Sequence, residues 1–194
     1  MDIVINKKYQ DIFGTAKDLF WKYGIKRVSI EEICKEANVS KMTFYKFFPN
    51  KIELAKTIMD DLVDSSLEKL NEIIHSDKSF SEKLKAMFLM KLERMNNISM
   101  EFIKDIHINQ GTGLKEHMDK LQAKAISLIV EFYKDSQKKG YIRKEVKIDF
   151  ILAYSAQIVK LMKDEHLLSQ YEQPQDLVIE SMNLLFYGIF TGNE

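Results

Sequence analysis

Turn-forming residues are scarce, with two prolines and seven glycines in 194 residues. Sandwiches and barrels need turn chemistry about every 8–12 positions, so this shortage excludes them and leaves an almost wholly helical chain. Cysteine occurs once, as Cys34. One thiol excludes a disulfide framework within the chain and any multi-cysteine zinc site, and it suits a reducing compartment. No apolar stretch approaches the roughly 18 residues of a membrane-spanning helix. The opening MDIVINKKYQ has an acid at Asp2 and lacks the apolar core of a signal peptide, so the expected location is the cytoplasm, with no membrane partner. Four histidines are scattered without an H-x-x-x-H or H-x-x-E pair, and neither a metal nor a cofactor is expected. The G-T-G at 111–113 is neither a dinucleotide fingerprint nor a P-loop. No nucleophile motif is present, and enzymatic activity is not expected.

Net charge is also missing, with 29 basic residues against 29 acidic ones, but the charges are unevenly spread. Residues 1–56 hold 11 Lys and Arg against 7 Asp and Glu, a balance of +4; residues 57–194 hold 18 against 22, a balance of −4. A basic first third on an acidic remainder suits a polyanion partner at one end, or an ordinary variation in surface charge.

What the chain has in quantity is helical periodicity. Tyr9, Ile12, Phe13, Ala16, Leu19, Phe20 and Tyr23 form the stripe of an amphipathic helix over 7–24, which Gly24 suits as a C-terminal cap. Ser29 with Glu32 reads as a capping box, and Ile30, Ile33, Cys34 and Ala37 then share a face. Asn38 tolerates the left-handed conformation that ends a helix. Ser40 caps a short helix over 41–48, and Pro49 stops it. Asn50 opens a long helix over 51–75. Further helices are expected near 79–95, 99–109, 114–138, 148–168 and 175–190, with breaks at 76–79, 96–97, 111–113, Gly140 and Pro174. The fold class is all-α, with about nine helices.

The short helix divides its rings. At 100° per residue from Lys41, Phe44 falls at about 300° and Phe48 at about 340°, so they stack on one face. Met42, Thr43 and Lys46 fall opposite. Two short helices joined by the tight A-N-V-S turn make a helix-turn-helix, whose second helix enters the DNA major groove. Lysines offset phosphate charge, hydroxyls and helix-start amides bond phosphate oxygens, and Thr43 suits a base edge. The wheel leaves two readings open: a DNA-reading unit, or a helical hairpin whose lysines are merely solvated.

From Phe20 to Leu54 the chain reads FWKYGIKRVSIEEICKEANVSKMTFYKFFPNKIEL. This stretch resembles the N-terminal DNA-binding domain of TetR-family transcriptional regulators. Phe20, Gly24, Ser29, Ile33-Cys34, Asn38-Val39-Ser40, Tyr45, Phe48, Lys51 and Leu54 carry the resemblance. It departs at Asn38 and Met42, where the family favours glycine, at Cys34, where it favours alanine, and at Phe47, where a phosphate donor is common. The resemblance implies a helix-turn-helix domain over 1–50 and a ligand-binding and dimerisation domain over 51–194, with helix 51–75 shared as connector. It implies DNA contact through Ser29, Ser40, Lys41, Met42, Thr43, Tyr45, Lys46 and Lys51. The partners it implies are double-stranded DNA with a palindromic operator, a second copy of the chain, and an unknown small-molecule effector.

The rest of the chain is read on that basis. Segments 148–168 and 177–190 have apolar coverage wider than one stripe, as helices with two buried faces do. Ile151, Tyr154, Ser155, Ile158, Met162, Met182, Leu185, Phe186 and Ile189 are the expected homodimer interface; a buried hairpin within a monomer is the other reading. A pocket for an apolar or aromatic effector is expected among Met87, Phe88, Met90, Met95, Phe102, His107, His117, Met118, Phe132 and Tyr133, residues that equally suit a core. The expected function is a ligand-responsive regulator, a repressor released from its operator by the effector. The alternative is a helical small-molecule-binding or scaffold protein that keeps an unused helix-turn-helix.

Overall fold

The computed structural model describes residues 7–95, 99–108, 111–161 and 164–189. Among them are ten helices and no strand: α1 (Lys7–Tyr23), α2 (Ile30–Glu36), α3 (Lys41–Phe47), α4 (Lys51–His75), α5 (Phe80–Met95), α6 (Met100–Ile108), α7 (Leu114–Lys138), α8 (Ile148–Leu161), α9 (Glu165–Leu168) and α10 (Pro174–Ile189). The all-α expectation holds. The single helix expected over 148–168 is two, because Asp164 starts a new turn: its Oδ1 accepts from the Leu167 amide at 3.0 Å and its carbonyl from the Leu168 amide at 2.9 Å. Pro174 opens α10 instead of lying outside it, since the first helical position needs no N–H donor. No helix among the described residues is long and apolar enough to cross a membrane.

The described residues fall into two compact units. The first holds those up to Ser66 and those between Asn97 and Lys124; the second holds the rest. The first unit is therefore larger than the helix-turn-helix over 1–50, because α6 packs on α1 and the start of α7 joins the same core. Along the chain, α4 and α7 each pass from one unit into the other.

In the first unit, Ile12, Ala16 and Phe20 of α1 recur every four residues and are wholly buried. Ile33 and Cys34 of α2, Phe44 of α3, and Leu54, Ala55, Ile58 and Met59 of α4 pack with them. Phe102 and Ile106 of α6 and Leu114, Met118 and Leu121 of α7 complete this core. The thiol of Cys34 is a buried packing group, and burial pushes its pKa up.

The second unit closes on Leu70, Phe80, Leu84, Met87, Phe88, Phe132, Tyr133, Ile142, Ile151, Ile158, Met182 and Leu185. Phe80 stacks between Phe132 at 5.5 Å and Tyr141 at 5.6 Å between centroids. Tyr133 is 2% exposed, and burial pushes its phenol up to about 12, against a smaller opposing effect from the Ser155 hydroxyl. A tyrosine in the unfolded chain ionises near pH 10. Between about pH 10 and 12 the unfolded chain has therefore lost a proton that the folded chain keeps, and stability falls as pH rises. Tyr133→Phe is expected to flatten the decline by up to about 1.4 kcal/mol per pH unit in urea titrations across that window.

Candidate nucleic-acid interface

The turn between α2 and α3 is built by backbone chemistry. Asn38 takes a left-handed conformation, φ 51°. The Asn38 amide donates to Lys35 O at 3.2 Å and the Val39 amide to Cys34 O at 2.9 Å, the paired bonds of a Schellman ending. Asparagine is among the few residues besides glycine that adopt this conformation readily. Each helix is then capped. Ser29 Oγ accepts from the Glu32 amide at 3.1 Å, Ser40 Oγ from the Thr43 amide at 3.1 Å, and Asn50 Oδ1 from the Glu53 amide at 2.9 Å. The Glu32 carboxylate stands 3.9 Å from Arg27, whose guanidinium lies over the Tyr23 ring at 4.2 Å. Phe48, held extended ahead of Pro49, ends α3.

α3 is pinned by its rings. Phe44 is fully buried and Phe48 is 3% exposed. Tyr9 of α1 meets Phe48 at 5.1 Å and Phe47 at 5.8 Å between ring centroids. The opposite side faces solvent: Met42 is 73% exposed and Tyr45 53%, Lys41 and Lys46 are exposed, and Thr43 is half-buried. The first turn of α3 carries no acidic residue of its own. The outward surface thus offers ammonium groups, hydroxyls, helix-start amides and one flexible apolar chain. Those are the groups that phosphates, base edges and thymine methyls accept.

Three of the eight expected contact residues carry partners that the sequence did not reveal. Lys41 pairs with Glu31 of α2; the pairing raises the pKa of Lys41 and lowers that of Glu31. The Thr43 hydroxyl lies 2.9 Å from Ser40 Oγ and so is folded back on its own cap. Lys51 Nζ donates to Val28 O at 2.5 Å and to Lys26 O at 3.1 Å, which turns it inward to the α1–α2 loop. A contact ten residues away in sequence and one to a backbone carbonyl leave no periodic signal in the chain.

Residues 12–58 match the profile described as bacterial regulatory proteins, tetR family. The N-terminal domain belongs to the TetR family. A relative among curated proteins, the uncharacterized HTH-type transcriptional regulator YhgD of Bacillus subtilis (strain 168), is 27% identical over 135 residues, spanning 68% of this chain and 70% of that protein. The reduced form of NemR from E. coli has the same fold, with a TM-score of 0.78 at 14% identity over 97% of this chain and 100% of that one. FadR from Bacillus subtilis in complex with stearoyl-CoA superposes with a TM-score of 0.72 at 16% identity over 93% and 99% of the two chains. The chain is a helix-turn-helix DNA-binding transcriptional regulator.

Outside the TetR-family domain, the expected effector residues divide between the two units. Phe102 and Met118 pack in the core of the first. There His107 is exposed, and His117 Nε2 lies 2.7 Å from Asp60 Oδ1. Met87, Phe88, Phe132 and Tyr133 pack in the core of the second. Met90 lines an open groove of about 350 Å³ with Lys69, Glu72, Ile73, Ala86, Leu89 and Glu93. Met162 lies outside the described residues, as do the side chains of Met95, Phe186 and Ile189. Of the expected dimer residues, Ile151, Ile158, Met182 and Leu185 face the chain's own core, and Ser155 is half-buried. Tyr154 faces outward with Phe150, Leu161 and Leu184, three residues outside the expected interface set. Phe150 and Tyr154 stack at 6.2 Å.

Because Phe44 anchors α3, Phe44→Ala is expected to lower unfolding free energy by about 3–5 kcal/mol. Met42→Ala on the opposite face is expected to change it by less than about 0.5 kcal/mol. Urea denaturation followed by circular dichroism measures both.

Proposed function

We propose that this regulator is a homodimeric repressor that reads a palindromic operator with α3 and leaves it when a small apolar or aromatic effector binds. One observation supports this reading most: a short helix pinned by Phe44 and Phe48 turns Met42, Tyr45 and Lys46 outward beside Thr43 and Lys41. Lys46 and Tyr45 contact phosphates or base edges, Lys41 exchanges Glu31 for a phosphate, and Met42 makes apolar contact in the groove. Ser29 and Ser40 offer their hydroxyls at the helix starts. A DNA-bound regulator of this kind works in the cytoplasm.

A second copy of the chain covers Phe150, Tyr154, Leu161 and Leu184, the apolar side chains that the α8 and α10 faces leave in solvent. Paired recognition helices then meet half-sites about one helical turn apart or a multiple of it. An apolar or aromatic effector suits the second unit, whose core is packed with rings and methionines that can adapt to one. An effector that favours one arrangement of these helices by about 1–3 kcal/mol changes DNA affinity roughly 5- to 150-fold.

Selection of genomic fragments on the wild-type protein, followed by gel shifts, tests the DNA reading. A specific, salt-sensitive shift is expected. Lys46→Ala is expected to weaken it and to reduce the salt slope by about one unit per subunit. A shift that survives both Lys46→Ala and Tyr45→Phe unchanged would remove α3 as the reading element, and capture of no fragment would favour a scaffold role.

Phe150→Asp or Leu184→Arg is expected to yield monomers in sedimentation analysis with helix content retained. Dimers that persist in both variants would place the interface elsewhere.

A further inference from the structure

The loop between α1 and α2 is held from two sides by oppositely charged groups. Asp105 of α6 accepts the Lys26 amide proton on Oδ2 at 2.7 Å. Lys51, the first residue of α4, donates to the carbonyls of Val28 at 2.5 Å and of Lys26 at 3.1 Å. Lys26 is thus gripped by its N–H from α6 and by its C=O from α4. Gly24 makes the approach of α6 possible. Its φ is +82°, and a Cβ there would stand 2.7 Å from Asp105 Oδ2 and 3.1 Å from Glu101 Cβ.

Two of the three Lys51 protons are therefore committed to the loop, and its ammonium is partly desolvated. Burial lowers its pKa, against the opposing pull of Asp105. An ammonium that bonds the backbone inward is a poor phosphate ligand, although the resemblance implies that Lys51 contacts DNA.

We propose that Lys51 and Asp105 act together as positioning residues for DNA binding, clamping the α1–α2 loop so that α2 and α3 keep one pose against α4 and α6. Lys51 serves DNA affinity through this clamp and not as a phosphate contact. The consequence rests on the DNA-binding reading above; the clamp itself rests on geometry alone.

Fluorescence anisotropy on a selected genomic duplex, with salt varied from about 50 to 200 mM, separates the two roles of Lys51. Lys51→Met is expected to weaken binding about 5- to 150-fold with the salt slope unchanged. A slope reduced by about 0.9 unit for each phosphate no longer neutralised would make Lys51 a phosphate ligand and overturn the proposal. Asp105→Ala is expected to weaken binding similarly, and Asp105→Asn, which keeps an acceptor oxygen, to restore it. The double variant Lys51→Met/Asp105→Ala should lose no more than the worse single one; additive losses would show that the two residues act separately. Amide exchange of Lys26 by NMR on free protein decides the clamp even where the DNA reading fails. Asp105→Ala should speed it at least about tenfold, and an unchanged rate would overturn the clamp.

Discussion

A helix of seven residues cannot hold itself together in water, because nucleation costs more than two turns of hydrogen bonds return. α3 exists because Phe44 and Phe48 drive one of its faces into the core of the first unit. Everything else in the interface depends on that burial. The Schellman ending at Asn38 sets where α3 begins, the Ser40 hydroxyl satisfies an amide at its start, and Pro49 forbids its continuation. With the apolar face committed inward, the polar and flexible side chains have only solvent, or a partner, to meet.

Exposed ion pairs around this face are poor cement and good exchange partners. Lys41 and Glu31 are both open to water, where an ion pair is screened and readily given up for a phosphate. Lys51 is a different case, since its partners are backbone carbonyls and its surroundings are half-desolvated. Two lysines ten residues apart in one motif thus do different physical work. The difference comes from burial and partners, not from residue type.

Much of this was legible in the sequence. The caps at Ser29, Ser40 and Asn50, the left-handed Asn38 and the buried pair Phe44 and Phe48 are local features, and the bounds of α7 coincide with those read from the G-T-G break. Local rules could not reach Asp105, which meets a backbone amide 79 positions away. They also could not choose a face where both faces are apolar. On α8, Ile151 and Ile158 turn inward while Phe150, Tyr154 and Leu161 turn out, and a wide apolar stripe fits either choice. The expected effector residues failed to form one group for the same reason: methionine and phenylalanine at helical spacing mark any core, and here they mark two.

Hydrogen–deuterium exchange of the protein with and without a selected DNA duplex tests most directly whether α3 is the reading element. Added protection is expected from the start of α2 through α3 to the first turn of α4, with little change along the outer faces of α8 and α10. Protection confined to α8 and α10, with α3 exchanging as it does in free protein, would contradict it.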